Sequence, residues 1–358
     1  MRHSTELFPD VTVGMDLSDR SAKAVVLNAD GVEIDRLSLN LTRKDLESFF
    51  KRLPPGRVVF ETGTQSPWIS WLVKEIGHEA VVANTRTSSK SFKKTDELDA
   101  EGLARKGRSS PEDLHPIEHR SREVFLHRAV LTIRDGFVRA RTLMVNLARN
   151  QPKPFGYRLP SSSTRAFKES LLGDLPQEIA LLLKPVFEMV SVLNELIARC
   201  DKTIEKLCEK KYPDTQKVRQ VNGVGPITAL AFVLAIEDPK RFKKSRDVGA
   251  YFGLAPRVQQ SGEWDPQLGI SKAGNRVVRR LLVGSAHYIM GKFGEDCYLQ
   301  RFGRALARRG GKSAKKRAAG AVARKLAVLL HRLWVSGDPY DPMRNTPKGT
   351  KRKTKTSV

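Results

Sequence analysis

Short apolar runs, each breaking off at an acid or a tight turn, occupy the start of the chain and restrict its fold more than any other feature. Val11-Thr12-Val13-Gly14-Met15-Asp16 is apolar up to its last carboxylate. Ala24-Val25-Val26-Leu27-Asn28 follows, then an Asp30-Gly31 turn and Val32-Glu33-Ile34-Asp35-Arg36-Leu37. Runs this short, rich in β-branched residues and joined by turn residues, read as strands of a β-meander. Arg43 to Leu53 has helical spacing and closes at Pro54-Pro55-Gly56, after which Arg57-Val58-Val59-Phe60 reads as a buried strand that delivers Glu61 at its end. Trp68 to Ile76 reads as a helix stopped by Gly77, and Glu79-Ala80-Val81-Val82-Ala83 as one more strand. Residues 10–118 are therefore expected to form a mixed α/β domain. Asp16 and Glu61 both sit at strand ends, where one edge of a sheet gathers ligand-binding side chains.

The stretch Lys93-Lys94-Thr95-Asp96-Glu97-Leu98-Asp99-Ala100-Glu101 is acidic inside a basic protein and runs into Leu103-Ala104-Arg105, which reads as helix. Asp96 and Asp99 are three apart, so on a helix they face the same way. Two carboxylates on one face repel, and a hard divalent cation, which takes oxygen ligands, cancels that repulsion. The alternative is a solvated helix start with Thr95 as N-cap and acids favoured by the helix dipole. Singly, Asp16 reads equally well as the cap of a turn and Glu61 as an exposed strand end. Together, four acids from three separated elements are expected to converge on one or two divalent ions.

The formal charge of +25 over 358 residues points to a polyanionic partner, nucleic acid first. A membrane surface would need a basic amphipathic anchor, and no apolar run reaches spanning length. Met1-Arg2-His3-Ser4-Thr5-Glu6 lacks the apolar core of a signal peptide. Cys200, Cys208 and Cys297 have no metal-ligand spacing and read as thiols in a reducing cytoplasm, and the 7 His are too scattered for a zinc site.

Residues 119–212 are helical by pattern, with Val124, Leu126, Leu131, Ile133, Val138, Leu143 and Leu147 on one long helix and a second from Leu181 to Leu207. The pair reads either as an antiparallel coiled coil used for dimerisation or as a plain helical spacer. Residues 213–335 look mostly α. Val221-Asn222-Gly223-Val224-Gly225-Pro226-Ile227-Thr228-Ala229 resembles a helix-hairpin-helix turn, in which Gly223 and Gly225 let backbone N–H groups approach a phosphate. A packing joint between two helices is the other reading. From Arg301 onward 17 Lys and Arg face 2 acids. Ala305 to Leu333 is expected to be a basic amphipathic helix, and 336–358 a disordered basic tail that touches phosphates without reading sequence.

Val13-Gly14-Met15-Asp16, Phe60-Glu61-Thr62-Gly63 and Lys94-Thr95-Asp96-Glu97-Leu98-Asp99-Ala100 together resemble the DEDD domain of an insertion-sequence transposase family. Tyr251-Phe252-Gly253-Leu254-Ala255-Pro256-Arg257, Gln260-Ser261-Gly262 and Leu268-Gly269-Ile270-Ser271-Lys272-Ala273-Gly274-Asn275-Arg276 are similar to that family's serine domain. The resemblance implies an RNase H-like (RuvC-like) first domain whose Asp16, Glu61, Asp96 and Asp99 bind Mg²⁺, with Mn²⁺ as a substitute. It implies Ser261 as the nucleophile that attacks a DNA phosphate, with Arg257, Lys272 and Arg276 as nucleic-acid contacts. Ser271, the rival serine, reads as an N-cap before Val277-Val278. A guide (bridge) RNA is implied as a partner, as is a homo-oligomer, dimer or tetramer, in which serine and acids come from different protomers. The residues alone leave three other readings open. One is a metal-dependent junction-resolving endonuclease with water as nucleophile, and another is a non-catalytic nucleic-acid-binding protein. An actin-like kinase or ATPase would need a second Gly-rich phosphate loop, and none is found.

Overall fold

A computed structural model of the chain describes residues 10–84, 96–164, 166–259 and 268–344. The chain divides into two compact units, Met1–Phe125 and Leu126–Val358.

The first unit is built on a five-stranded sheet of order β3-β2-β1-β4-β5. Its strands are β1 (Thr12–Leu17), β2 (Ser21–Leu27), β3 (Glu33–Asn40), β4 (Arg57–Glu61) and β5 (Glu79–Ala83). β1, β2 and β3 are antiparallel neighbours, as the expected meander requires, whereas β4 runs parallel to β1 and β5 parallel to β4. The parallel pairs need crossovers, and α2 (Ser66–Ile76) supplies the one between β4 and β5. This order and these directions agree with an RNase H-like domain. α1 (Arg43–Phe50) is capped by Thr42, whose side chain accepts from the amide of Asp45, and α2 ends at Gly77 in a left-handed conformation with φ of 104°. Met15, Leu46, Phe50, Phe60 and Ile69 are fully buried in the core between the sheet and these helices. The opposite face of the sheet is covered by α3 (Asp96–Ser109).

The second unit is helical. α4 (Arg122–Asn150) and α5 (Gln177–Lys210) run antiparallel within the chain. Arg134 Nε donates to Asp201 at 2.6 Å and Arg141 Nη1 to the Asn194 side chain at 2.7 Å, so contacts step in opposite directions along the two helices. Val145, Phe187 and Val190 share a small core with Phe167. The long helices expected in the middle are present, and they pair within one chain.

Next come α6 (Thr215–Arg219), α7 (Pro226–Ile236), α8 (Asp247–Tyr251), α9 (Arg276–Met290), α10 (Tyr298–Arg308) and α11 (Ala314–Ser336). α7 is apolar on every side, and Thr228 through Ile236 are all buried, which makes it the central helix of the unit. Phe232 on α7 packs against Phe252 and Trp334.

Two expectations for the end of the chain are corrected. The single helix from Ala305 to Leu333 is two helices, because Gly310 and Gly311 between them adopt φ of 79° and 90°, a conformation an α-helix cannot contain. The second, α11, is a core helix, with Val322, Leu326 and Leu330 fully buried. Nor does disorder begin at 336. Tyr298 N–H donates to the Pro342 carbonyl at 2.8 Å and Tyr340 N–H to the Gln220 side chain at 2.8 Å, so the segment up to Arg344 is docked on the unit. Burial, with Cys297 beside it, pushes the Tyr340 phenol above its ordinary range. The remainder of the expected tail lies outside the described residues.

The three cysteines are free, and Cys208 and Cys297 are buried. Burial pushes the Cys208 thiol up, so it is held protonated. Among the described residues no helix is long and apolar enough to cross a membrane.

Candidate active site

Register places the first two acids. β1 and β4 pair in parallel from Thr12↔Arg57 to Met15↔Phe60, so Asp16 and Glu61 come next, side by side at the same end of neighbouring strands. Which face they occupy follows from the glycines. A Cβ on Gly14 would collide with the Ala100 carbonyl and the Ala104 amide, so α3 lies directly on β1 there. Gly107, near the other end of α3, sits equally close to the Val59 side chain, and Val59 is the registered partner of Gly14. Side chains alternate along a strand, so Asp16 and Glu61, two residues beyond this pair, face the α3 side. Both are half-buried.

The start of α3 comes to the same sheet end. Lys23 is the registered partner of Asp16, and its Nζ lies 3.4 Å from Glu97 Oε1. Arg36 of β3 donates to Glu101 at 2.7 Å, Arg105 donates to it at 2.9 Å, and the Arg36 guanidinium first of all holds the Glu101 carboxyl below the usual range. Arg57 Nη1 donates to the Gly107 carbonyl at 2.7 Å and fastens the far end of the helix. Glu97 and Glu101 thus serve as anchors for α3. Asp99, half-buried, lies in the same first turns, and the backbone of Asp96 opens the helix, its side chain lying outside what is described. Among the described residues, no three His, Cys, Asp or Glu side chains stand close enough to hold a metal ion. The fold therefore brings Asp16, Glu61 and the Asp99 turn to one end of the sheet, without a preformed three-ligand cluster among those residues.

The turn after Glu61 is braced. Thr62 N–H donates to the Ala83 carbonyl at 3.0 Å, and Ser66 Oγ accepts from Gly63 N–H at 3.0 Å. His119 Nε2 lies 2.8 Å from Ser66 Oγ, and burial, reinforced by Lys74, pushes the His119 imidazole below its ordinary value.

Ser261 lies outside the described residues, and the backbone on either side of its segment is held by hydrogen bonds. Arg257 N–H donates to the Gly269 carbonyl at 3.0 Å, Ser271 N–H to Ala255 at 2.8 Å and Lys272 N–H to Gly253 at 3.1 Å. This short ladder closes the two ends of the segment on each other. It is tight because Gly253 and Gly274, both at φ of 67°, let backbone pass against backbone, where a Cβ would strike Ala273 or Tyr251. Arg279 clamps it from below, donating to the carbonyls of Phe252 at 3.0 Å and Ala273 at 2.6 Å. Arg257, Lys272 and Arg276 are all exposed around it. Ser271 is not the helix cap. Its Oγ accepts from Ala273 N–H at 3.4 Å, and Asn275 caps α9 by accepting from Val277 at 2.9 Å and Val278 at 3.1 Å. The reason is that the ladder and the left-handed Gly274 keep Ser271 out of reach of the first helical amides.

At the other turn, Gly223 has φ of 93° and its missing Cβ would meet Tyr288 of α9 at 2.9 Å, so packing between helices accounts for this glycine. Gly225 is exposed at the N-terminus of α7, with open space around it.

Paired carboxylates at the end of such a sheet, under a helix that begins with two more, describe the DEDD domain of a transposase. Comparison with known proteins agrees. A transposase profile named for the DEDD domain of IS110 matches residues 13–151, and that of the transposase IS116/IS110/IS902 family matches residues 215–297. The chain belongs to this IS110/IS116/IS902 family of transposases, enzymes of DNA transposition. It is 26% identical over 289 residues to the transposase for insertion sequence element IS1328 of Yersinia enterocolitica, covering 79% of this chain and 85% of that one. It is 30% identical over 203 residues, 55% of each chain, to the transposase for IS1111A of Coxiella burnetii. The pilin gene-inverting protein of Moraxella bovis is 29% identical over 122 residues, covering 34% of this chain and 37% of that one.

The basic face expected of the C-terminal helix lies on α11. Arg317, Arg324 and Arg332 recur at helical spacing on that helix.

Proposed function

We propose that this transposase cuts and rejoins DNA through a serine nucleophile assisted by a carboxylate-bound metal, with Asp16, Glu61, Asp96 and Asp99 as the metal ligands and Ser261 as the attacking group. The observation that carries the reading is the register of β1 and β4, which sets Asp16 beside Glu61 under the helix that bears Asp99. Half-buried carboxylates with hard oxygen donors fit Mg²⁺, and Mn²⁺ in its place, better than any softer metal. When bound, Mg²⁺ stabilises negative charge on the oxygens around the reacting phosphorus. Ser261 Oγ attacks that phosphorus, forming an O–P bond as the bond to the departing sugar oxygen breaks. The serine proton leaves to solvent and the departing oxygen takes one up. The phosphoserine so formed conserves the bond energy for rejoining. Arg257, Lys272 and Arg276, with the amide at Gly225 and, less directly, Gly223, hold the DNA backbone. An RNA guide and an oligomer complete the reading as the family resemblance implies them.

The test is a denaturing gel of the protein incubated with element-end DNA and Mg²⁺. A DNA–protein adduct is expected, lost in Ser261→Ala and retained in Ser271→Ala. Cleaved DNA with free ends and no adduct would favour water as the nucleophile. In Asp99→Asn both cleavage and adduct are expected to vanish, while Mn²⁺ binding weakens and the thermal unfolding midpoint holds or rises, because one repelling carboxylate is gone.

A further inference from the structure

A cavity of about 1180 Å³ opens in the second unit between α10, α11 and two backbone segments, one at Leu254 and Pro256 and one at Leu268 to Ile270. These segments lead into and out of the stretch that carries Ser261. Arg309, Lys316, Arg317, Arg324, Lys325 and Arg332 line the cavity, against one carboxylate, Asp341, among the described residues. The nearby carboxylates Asp296 and Asp338 are engaged by other cations, Arg301 at 2.6 Å and Arg344 at 3.5 Å. Arg332 Nε is buried and has no hydrogen-bond acceptor among the described residues. A wall this cationic, with a buried donor unsatisfied, calls for an anionic ligand.

The rest of the lining says which anion. Tyr298 and Phe302, nearly parallel at 25° with centroids 6.1 Å apart, both line the cavity. Lys325 Nζ stands over both rings, at 5.1 and 4.7 Å from their centroids, and 3.0 Å from the Tyr298 hydroxyl. Aromatic faces interleaved with cations suit a chain that alternates planar bases and phosphates. In a duplex the base faces are hidden in the stack, so the ligand must be unpaired. The chain's own end is a poor occupant, since residues after Arg344 carry 5 Lys and Arg and no Asp or Glu.

We propose that this cavity seats a short unpaired stretch of the nucleic-acid substrate, with a base against Tyr298 and Phe302 and its phosphates on Arg324, Lys325 and Arg332. The inference rests on the transposase reading and deepens it: the strand to be attacked is held single beside the serine segment.

The test uses the full chain in EDTA, so that metal-dependent cutting plays no part. Binding of fluorescent oligothymidylate, oligouridylate and a duplex of equal length is measured by anisotropy. Arg324→Gln with Lys325→Gln is expected to weaken oligothymidylate binding about tenfold, because two phosphate contacts are lost. Lys202→Gln with Lys206→Gln, which removes the same charge from the exposed face of α5, is expected to change it less than about twofold. Equal losses from the two pairs, or an equal loss of duplex binding, would overturn the proposal. Should the first pair fail to fold, photocrosslinking of 5-iodouracil oligonucleotides to the wild-type protein decides. Adducts are expected on peptides containing Tyr298, Phe302 or Tyr340, and adducts found solely elsewhere would refute the site. Tighter binding of thymidylate than of uridylate is expected of the DNA strand to be cut, and tighter binding of uridylate would overturn that assignment. Loss of the covalent adduct with this binding intact would remove Ser261 as nucleophile and leave the cavity standing.

Discussion

His119 shows how a side chain without a chemical role can hold a site in shape. Its Nε2 meets Ser66 Oγ at 2.8 Å, and Ser66 in turn fixes Gly63, two residues beyond Glu61. Burial, then Lys74, depresses the imidazole below its ordinary value, so the folded state prefers it neutral. A group whose folded pKa is lowered contributes stability that is present above its unfolded pKa, about 6.5 for histidine, and lost as pH falls toward the folded value. Denaturant midpoints measured from about pH 7 down to about pH 5 should therefore fall more steeply for the wild type than for His119→Gln. The gap between the two proteins should narrow with acid. Parallel curves would show that His119 does not titrate in this contact.

At the scale of elements, the position of α3 decides whether the acids can act together, and Gly14 decides the position of α3. Gly14→Ala should drive the added methyl into the Ala100 and Ala104 backbone, destabilise the chain by about 1–3 kcal/mol and abolish cleavage with every carboxylate intact. Gly102, on the same helix with open space around it, is the control, and Gly102→Ala should stabilise by about 0.5–1 kcal/mol because alanine restricts the unfolded chain and favours helix. Calorimetry and a cleavage assay together separate the two outcomes. All five strands were legible in the sequence, because each is an apolar run bounded by turn residues and the burial of β1, β2 and β4 leaves little ambiguity. Asp16 and Glu61 were legible as strand ends, but their shared face rests on Gly14 packing against Ala100, a contact between residues far apart in sequence. The C-terminal errors have local causes. The alanine-rich pattern from Ala305 to Leu333 keeps its helical period straight through Gly310-Gly311, and a period carries no information about a backbone break. Ser271 and Asn275 are both good caps, and only the ladder to Ala255 tells them apart. The docking of Tyr340 depends on partners at Gln220 and Tyr298, which composition cannot show.

At the scale of the whole molecule, the acids lie in one compact unit and the serine segment in the other, so under the proposed mechanism a single cut would draw on both. Chemistry shared in this way can be completed within one chain or by two chains on the same DNA, and mixing variants tells these apart. Ser261→Ala retains every carboxylate, and Asp99→Asn retains the serine. Each alone should be inactive. If the two units act across chains, a mixed assembly contains one intact serine with one intact acid set, and part of the cleavage returns. For randomly mixed dimers half of the assemblies are hetero-oligomers, and each of those has one intact site of two, so recovery should approach about a quarter of wild-type activity when folding and binding are unimpaired. The adduct formed should sit solely on the Asp99→Asn chain, which a size tag on one variant makes visible on the gel. If each chain completes its own site, no mixture recovers cleavage at any ratio, since neither variant carries a whole set. Recovery with the adduct on the tagged serine-bearing chain would assign the acids and the nucleophile to different protomers, and its absence from fully exchanged oligomers would confine both to one.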